Sequence, residues 1–224
     1  VNVQYSIVTT YQRPRHLSAN LFSQLPMGTM IYTDGGTFGC TDNHLRAWEE
    51  LAWRDAEIGE DEWSVVLEDD AILCDGFMDQ AEFALNNAPS PVVSLYLGQA
   101  RPPQWQAKAA RAVATGQPFI VSTTLLHAVA VAIRTDVLTG PRGMLENASE
   151  AAHSPLRKPI DEAITEWCKG QAIPVSYTNP SLVNHDVSIP SVAQHRPEDA
   201  VLQDGRVAHN FGTRSRWSRG IAIM

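Results

Sequence analysis

The sequence has little cysteine, and spacing pairs none of it. Its three cysteines, Cys40, Cys74 and Cys168, form no C-x-x-C. That excludes a zinc site built on cysteine pairs and reads as free thiols in a reducing, cytoplasmic setting. A long apolar run is also missing. The longest, Thr124–Ile133, falls far short of the roughly 20 residues that span a bilayer. No basic stretch precedes an apolar one near Val1, so no signal peptide is expected. Glycine and proline number 14 each among 224 residues, which leaves no collagen-like or linker-like bias. Charged residues make up 19% and apolar residues 44%, the balance of a folded globule rather than a disordered chain.

Positive charge is scarce and local. The chain carries −8, yet residues 201–224 set Arg206, Arg214, Arg216 and Arg219 against Asp204 alone, a net +3 that leaves −11 elsewhere. An acidic body does not suit general nucleic-acid binding. The expected organisation is one domain over residues 1–200 and a basic, aromatic tail over 201–224.

What is there is an alternation of short β-branched runs with helical patterns, the mark of an α/β fold with a largely parallel sheet. Strands are expected at Val3–Thr10, Met30–Thr33, Trp63–Leu67, Pro91–Leu97, His127–Ile133 and Ile173–Tyr177. Leu17, Leu21 and Leu25 repeat every four residues on a first helix. Thr41 is the expected N-cap of a helix to about Ile58, with Leu45, Trp48, Ala52 and Ala56 as its stripe. Asp75–Asn87 and Ile160–Gly170 read as further helices. Residues 99–118 read as irregular or partly helical, 140–159 as loop, and everything after Pro180 as irregular.

Five features carry chemistry. Glu68-Asp69-Asp70 follows the apolar Trp63–Leu67 run without a break. Adjacent carboxylates repel, and a hard divalent cation, Mn2+ or Mg2+, would offset that repulsion. The C-terminal end of a strand is also where open α/β sheets bind ligands. Thr9 and Thr10 with Arg13 and Arg15 form a cationic loop that suits phosphate. Asp34, in YTDGG, can accept from a ribose hydroxyl or a base N–H, or can simply close an Asp-Gly turn. Asp161 and Glu162 open a helix, where acids are favoured by the dipole and where one could act as a general base. His185, in PSLVNHD, can complete a metal shell or touch a pyrophosphate. In the tail, Arg214, Arg216 and Trp217 mix cations with an aromatic ring, a combination that can track a phosphate backbone and stack on bases or sugars of an acceptor.

In this order the features resemble a GT-A nucleotide-sugar glycosyltransferase: α/β, with a Rossmann-like, mostly parallel sheet flanked by helices. Within that fold the chain is most similar to glycosyltransferase family 25 and to small bacterial and phage-encoded transferases. The resemblance rests on Gly39-Cys40-Thr41-Asp42-Asn43-His44-Leu45, VVLEDDAIL, the late PID and PSLVNH, and spans roughly residues 3–190 as a pattern; VVLEDDAIL alone is specific. Family 25 usually has Ser-His where this chain has Asn43-His44. The resemblance implies that Glu68 and Asp69 serve the nucleotide, that Asp70 and His185 hold the metal, and that Asp161, with Glu162 as competitor, is the base of an inverting transfer. It implies a UDP-sugar donor and, as acceptor, a glycan or a hydroxymethylated pyrimidine in DNA of the phage type. A non-catalytic nucleotide-sugar-binding module and a metal-dependent nucleotidyltransferase are the competing readings.

Overall fold

Five of the six residues of Trp63–Glu68 are buried, Ser64 being the polar one among them, and the strand leaves the core only at Glu68. It lies inside an eight-stranded sheet. The computed structural model describes residues 1–58, 62–99, 102–155, 158–189 and 206–224, with backbone alone for 55–58. The strands are β1 (Val3–Thr10), β2 (Met30–Asp34), β3 (Trp63–Glu68), β4 (Ala71–Leu73), β5 (Val92–Ser94), β6 (Phe119–Ser122), β7 (Ala130–Arg134), β8 (Val175–Thr178), β9 (Val183–His185) and β10 (Ile221–Ile223). The helices are α1 (Arg15–Phe22), α2 (Gly39–Ile58), α3 (Phe77–Asn86), α4 (Pro103–Ala114), α5 (Met144–Ala152) and α6 (Ile160–Gly170).

The large sheet runs β10-β6-β8-β5-β7-β3-β1-β2, and β4 pairs with β9 in a separate two-stranded ladder. β2, β1 and β3 are mutually parallel, as are β5 with β8 and β6 with β10; β7 runs antiparallel between β3 and β5. The result is the expected mixed, mostly parallel α/β sheet flanked by helices, consistent with a Rossmann-like GT-A arrangement. Strand alternation divides the core. Val66 faces a cluster with Leu45, Trp48 and Leu51 of α2, Ala148 of α5 and Ile164 of α6. Val65 and Leu67 face the other cluster, with Leu21 of α1, Phe77 and Ala81 of α3, and Trp217.

Several expectations are corrected. α2 starts at Gly39, so Thr41 lies in its first turn and is not its cap. α1 ends at Phe22, which leaves Leu25 of the predicted stripe beyond the helix. Residues 140–159 contain α5, whose Met144, Ala148 and Ala152 form a buried stripe at every fourth position behind the helix-poor Gly140-Pro141 start. β6 has no predicted counterpart, and β9 and β10 lie in the stretch expected to be irregular. In β10 only Ala222 is buried, so its sequence carries no core signal. The strand expected at Pro91–Leu97 stops at Ser94, whose hydroxyl donates to Tyr96 O at 2.7 Å and bends the chain. The 200/201 boundary, Asp204 and the Ala56 side chain lie outside the described residues. No helix among the described residues is long and apolar enough to cross a membrane.

Candidate functional site

Register brings the acids and the basic loop together. β1 pairs with β3 so that Val8 faces Glu68, and with β2 so that Thr10 faces Asp34. Three neighbouring strands therefore release Thr9–Arg13, Asp34 and Glu68–Asp70 at one edge, the C-terminal end of a parallel set. Asn43 of α2 locks this edge, donating from Nδ2 to Thr9 O (3.0 Å) and Tyr32 O (2.9 Å). The β4–β9 ladder returns His185 to the acids: Ala71 pairs with His185, and Asp186 N donates to Asp70 O at 2.9 Å. The edge encloses a cavity of about 430 Å3, lined among others by Thr9, Thr10, Arg13, Asp34, Glu68, Asp69, Asp70, His185 and Arg206.

Within it the three acids have different partners. Asp70 Oδ2 accepts from Arg13 Nη2 at 2.7 Å and lies 3.3 Å from His185 Nε2, while its Oδ1 is buried with no hydrogen-bond partner. Burial alone would raise the Asp70 carboxyl, but the bond and charge of His185 and the Arg13 guanidinium outweigh it, so Asp70 sits below the usual carboxylate range. Asp69 accepts from the Thr9 hydroxyl and lies 3.6 Å from Arg13 Nε. Its burial prevails over these contacts and raises it. Burial and the charge of Asp70 push Glu68 up to about 7, although His44, 3.7 Å away, pulls against them.

A ligand atom each from Glu68, Asp70 and His185 lies within 4.8 Å of the others. The unpartnered Asp70 Oδ1 and His185 Nδ1 fit the same conclusion: these residues suit a divalent cation, with hard oxygens and one imidazole. Beside them, Arg13, whose Nη2 is bonded to Asp70, keeps Nε and Nη1, and Arg206 keeps Nε and Nη2, buried without hydrogen-bond partners. Buried guanidinium donors left unpaired are costly, so these N–H groups suit an anionic ligand with several acceptor oxygens. Arg206 is held there by its own backbone, whose carbonyl accepts from the Tyr96 hydroxyl at 2.7 Å.

The other expected site residues divide. Asp34 is 7% exposed, and its carboxylate closes the loop before α2, accepting from the N–H groups of Gly36, Thr37 and Phe38 through Oδ1 and of Gly39 through Oδ2, all at 3.0–3.1 Å. Burial opposes ionisation there, but the four N–H bonds outweigh it and lower the carboxyl. Gly36 has φ +91, and a Cβ there would meet Tyr11 Cε1 at 2.8 Å; the glycine lets the exposed Tyr11 ring lie across the loop at the cavity mouth. Asp161 opens α6 and accepts from Glu162 N at 3.0 Å. Burial first, then the charge of Glu162, push it up to about 6, and Glu68 and Cys40 both feel its charge. Glu162 is exposed. Loss of solvent around its sulfur within the cavity, then the charge of Glu68, push the thiol of the otherwise exposed Cys40 up to about 12.

The tail residues are tied into the fold. Arg214 donates to Asn179 O (2.9 Å), Gly116 O (2.8 Å) and Arg216 O (3.0 Å). Trp217 is 7% exposed, packs on Phe119 at 5.5 Å between ring centroids, and donates to Gln80 Oε1 at 3.0 Å. Neither lines the cavity, and Arg216 is exposed. Of the arginines in this tail, Arg206 is the one that lines the cavity, and no spacing rule singles it out. Cys40 and His44 also line it; their four-residue spacing on α2 was the signal available for them.

No protein-family model matches the chain, and no curated protein sequence matches it. Solved structures do. A197 from STIV is 9% identical over 96% of this chain and 97% of its own, with a TM-score of 0.53. A glycosyltransferase involved in the glycosylation of the major capsid of PBCV-1 is 10% identical, covering 75% of this chain and 78% of its own, with a TM-score of 0.44. CMP:2-keto-3-deoxy-manno-octonic acid synthetase in complex with CTP is 15% identical, covering 79% and 89%, with a TM-score of 0.41. The likeness to A197 shows a shared fold; the other two are looser.

Proposed function

We propose that the protein is a metal-dependent glycosyltransferase of the GT-A type, moving a sugar from a nucleotide sugar, a UDP-sugar by resemblance, to an acceptor hydroxyl. One observation carries this reading. A cage of Glu68, Asp70 and His185 suited to a cation shares its cavity with Arg13 and Arg206, each of which keeps two buried N–H groups without a hydrogen-bond partner. A diphosphate satisfies both sides at once. Mn2+ or Mg2+ held by Asp70 and His185 would supply Lewis-acid neutralisation of the charge that develops on the leaving diphosphate. Arg13 and Arg206 would clamp the remaining phosphate oxygens, and Tyr11 offers a ring face to the base.

Asp161, held near 6, has a basicity suited to accepting the acceptor's hydroxyl proton at neutral pH. The new bond from that oxygen to the anomeric carbon forms as the bond to the diphosphate breaks, with inversion. Glu162 is exposed to solvent and is the lesser candidate. The acceptor is the hydroxyl of a glycan or of a hydroxymethylated pyrimidine in DNA; Arg216 is the exposed member of the tail residues expected to contact it.

The test incubates the protein with Mn2+, a panel of sugar nucleotides and both acceptor classes, and follows nucleotide diphosphate and the mass of the acceptor. Release of nucleotide diphosphate with a hexose-sized gain, lost in Asp70→Ala, supports the transferase. Pyrophosphate release from a nucleoside triphosphate would replace it with a nucleotidyltransferase. Donor binding without turnover would replace it with a binding module.

A further inference from the structure

Glu68 has a second set of neighbours that the transferase reading leaves unused. Cys40 and His44 are four residues apart on α2, so their side chains leave the same helix face. A ligand atom each from Cys40, His44 and Glu68 lies within 4.8 Å of the others. His44 is 2% exposed. Its Nδ1 lies 2.8 Å from Cys40 O and 3.6 Å from Cys40 Sγ; the carbonyl only accepts, so a bond to it places the proton on Nδ1 and leaves Nε2 as the ligand nitrogen. Nε2 is buried without a hydrogen-bond partner and faces Glu68 Oε1 at 3.7 Å.

A backbone carbonyl on the far nitrogen is how metal-ligating histidines are oriented. At ligand bonds of about 2.1 Å, a 3.7 Å separation corresponds to an angle of roughly 120° at an ion between the two atoms, which a distorted tetrahedral site accepts. The positive end of α2 would oppose a cation, but the Asp34 carboxylate already offsets it with four N–H bonds. Cys40 is exposed to the cavity, which gives the site an entry path.

We propose that Cys40, His44 and Glu68 bind a borderline-soft divalent cation of the Zn2+ class, at a site distinct from the harder Glu68–Asp70–His185 cage and sharing Glu68 with it. One thiolate, one imidazole and one carboxylate form a donor set that prefers Zn2+ to Mg2+. As the sulfur–metal bond forms, the thiol proton leaves to solvent. Three protein ligands leave a fourth position open to the cavity. The alternative for the same geometry is a direct His44–Glu68 contact with no metal bound through sulfur.

The experiment titrates the full chain with Co2+ and follows the sulfur-to-cobalt charge-transfer absorption. The expected result is a band that saturates at one equivalent, is erased by Zn2+, and survives excess Mg2+. It is lost in Cys40→Ser and kept in Asp70→Asn. A chain carrying Cys74→Ser and Cys168→Ala keeps Cys40 as its one thiol and must keep the band, so misfolding of the Cys40 variant cannot hide the answer. No band in the wild-type chain, or a band that persists in Cys40→Ser, overturns the proposal. The transferase reading fails separately: turnover that is absent while the cobalt band is present sinks that reading alone.

Discussion

Asp34 separates two roles that its sequence context allowed, and replacing it by alanine distinguishes them. Its carboxylate accepts four backbone N–H bonds, three from the loop before α2 and one from Gly39 at the start of that helix. An ordinary cap removed by alanine costs about 1 kcal/mol. Here four donors lose a charged acceptor in a buried setting, and charge-assisted bonds are worth about 1.5–3 kcal/mol each before relaxation and water recover part of the loss. A net loss of about 3 kcal/mol is expected for Asp34→Ala, which for a chain of this size lowers Tm by roughly 6–12 °C. Asp34→Asn keeps an acceptor oxygen and should lose less. The pH dependence has a definite sign. The folded carboxyl is lowered, so the stabilisation is complete above the unfolded value near 4 and is lost as pH falls through the folded value. The gap in Tm between wild type and Asp34→Ala should therefore close in acid. Thermal melts by circular dichroism at pH 7 and below pH 4 measure both. A drop under about 2 °C at pH 7, with donor affinity reduced instead, would refute the capping argument and return Asp34 to ligand recognition.

Other perturbations have equally defined outcomes. Asp161→Asn should lower kcat by about 10^2–10^4 without lowering Tm, and the wild-type kcat/KM should fall with acid below about pH 6, tenfold per unit; a flat profile down to pH 5 removes Asp161 as the base. Arg206→Gln should raise the donor KM by about tenfold with little change in Tm, as for a lost charge-assisted contact; unchanged KM in steady-state assays speaks against an anion clamp. Trp217→Ala should cost about 3–5 kcal/mol in chemical denaturation, while Trp217→Phe costs less. Were the two variants to retain full stability but lose acceptor binding, the tail would be a contact surface and not a buttress. Tyr177→Phe removes a buried hydroxyl that accepts from Leu126 N at 2.8 Å and donates to Thr124 O at 2.7 Å, and should cost about 1–3 kcal/mol by the same measurement.

The parts of the site that follow directly from local pattern were legible. An apolar run that ends in three carboxylates defines both a buried strand and the end that opens into the cavity, so Glu68, Asp69 and Asp70 could be placed before any contact was seen. His185 was named from its apolar surroundings, but its approach to Asp70 depends on two three-residue strands paired across the length of the chain, which leave no local periodicity. Arg206 was hidden for a similar reason: it sits among other arginines, and only the tertiary path of the tail puts its guanidinium in the cavity. Arg214 and Trp217 carried the composition of a polyanion-binding segment. In the fold, the same guanidinium bonds to carbonyl oxygens and the same indole fills a gap beside Phe119. Composition reports which bonds a side chain can make, not which partners the fold supplies. α5 escaped because its helical signal is small alanines behind glycine and proline, and β10 because its outward isoleucines leave one alanine to face the core.

The cavity joins segments far apart in sequence: Arg13 follows β1, and Arg206 precedes β10. During synthesis the first three strands and the acid triplet are made early, yet the second guanidinium emerges only after nearly all the rest of the sheet. A ribosome-bound chain thus holds the carboxylate half of the cavity without its second counter-charge. Electrostatic relief reaches this edge late, when the segment from Arg206 pairs Ala208 with Gly98 and lays Phe211 beside Ser181. Any chain that stops short of that segment would carry an acidic edge with one arginine where the finished protein has two.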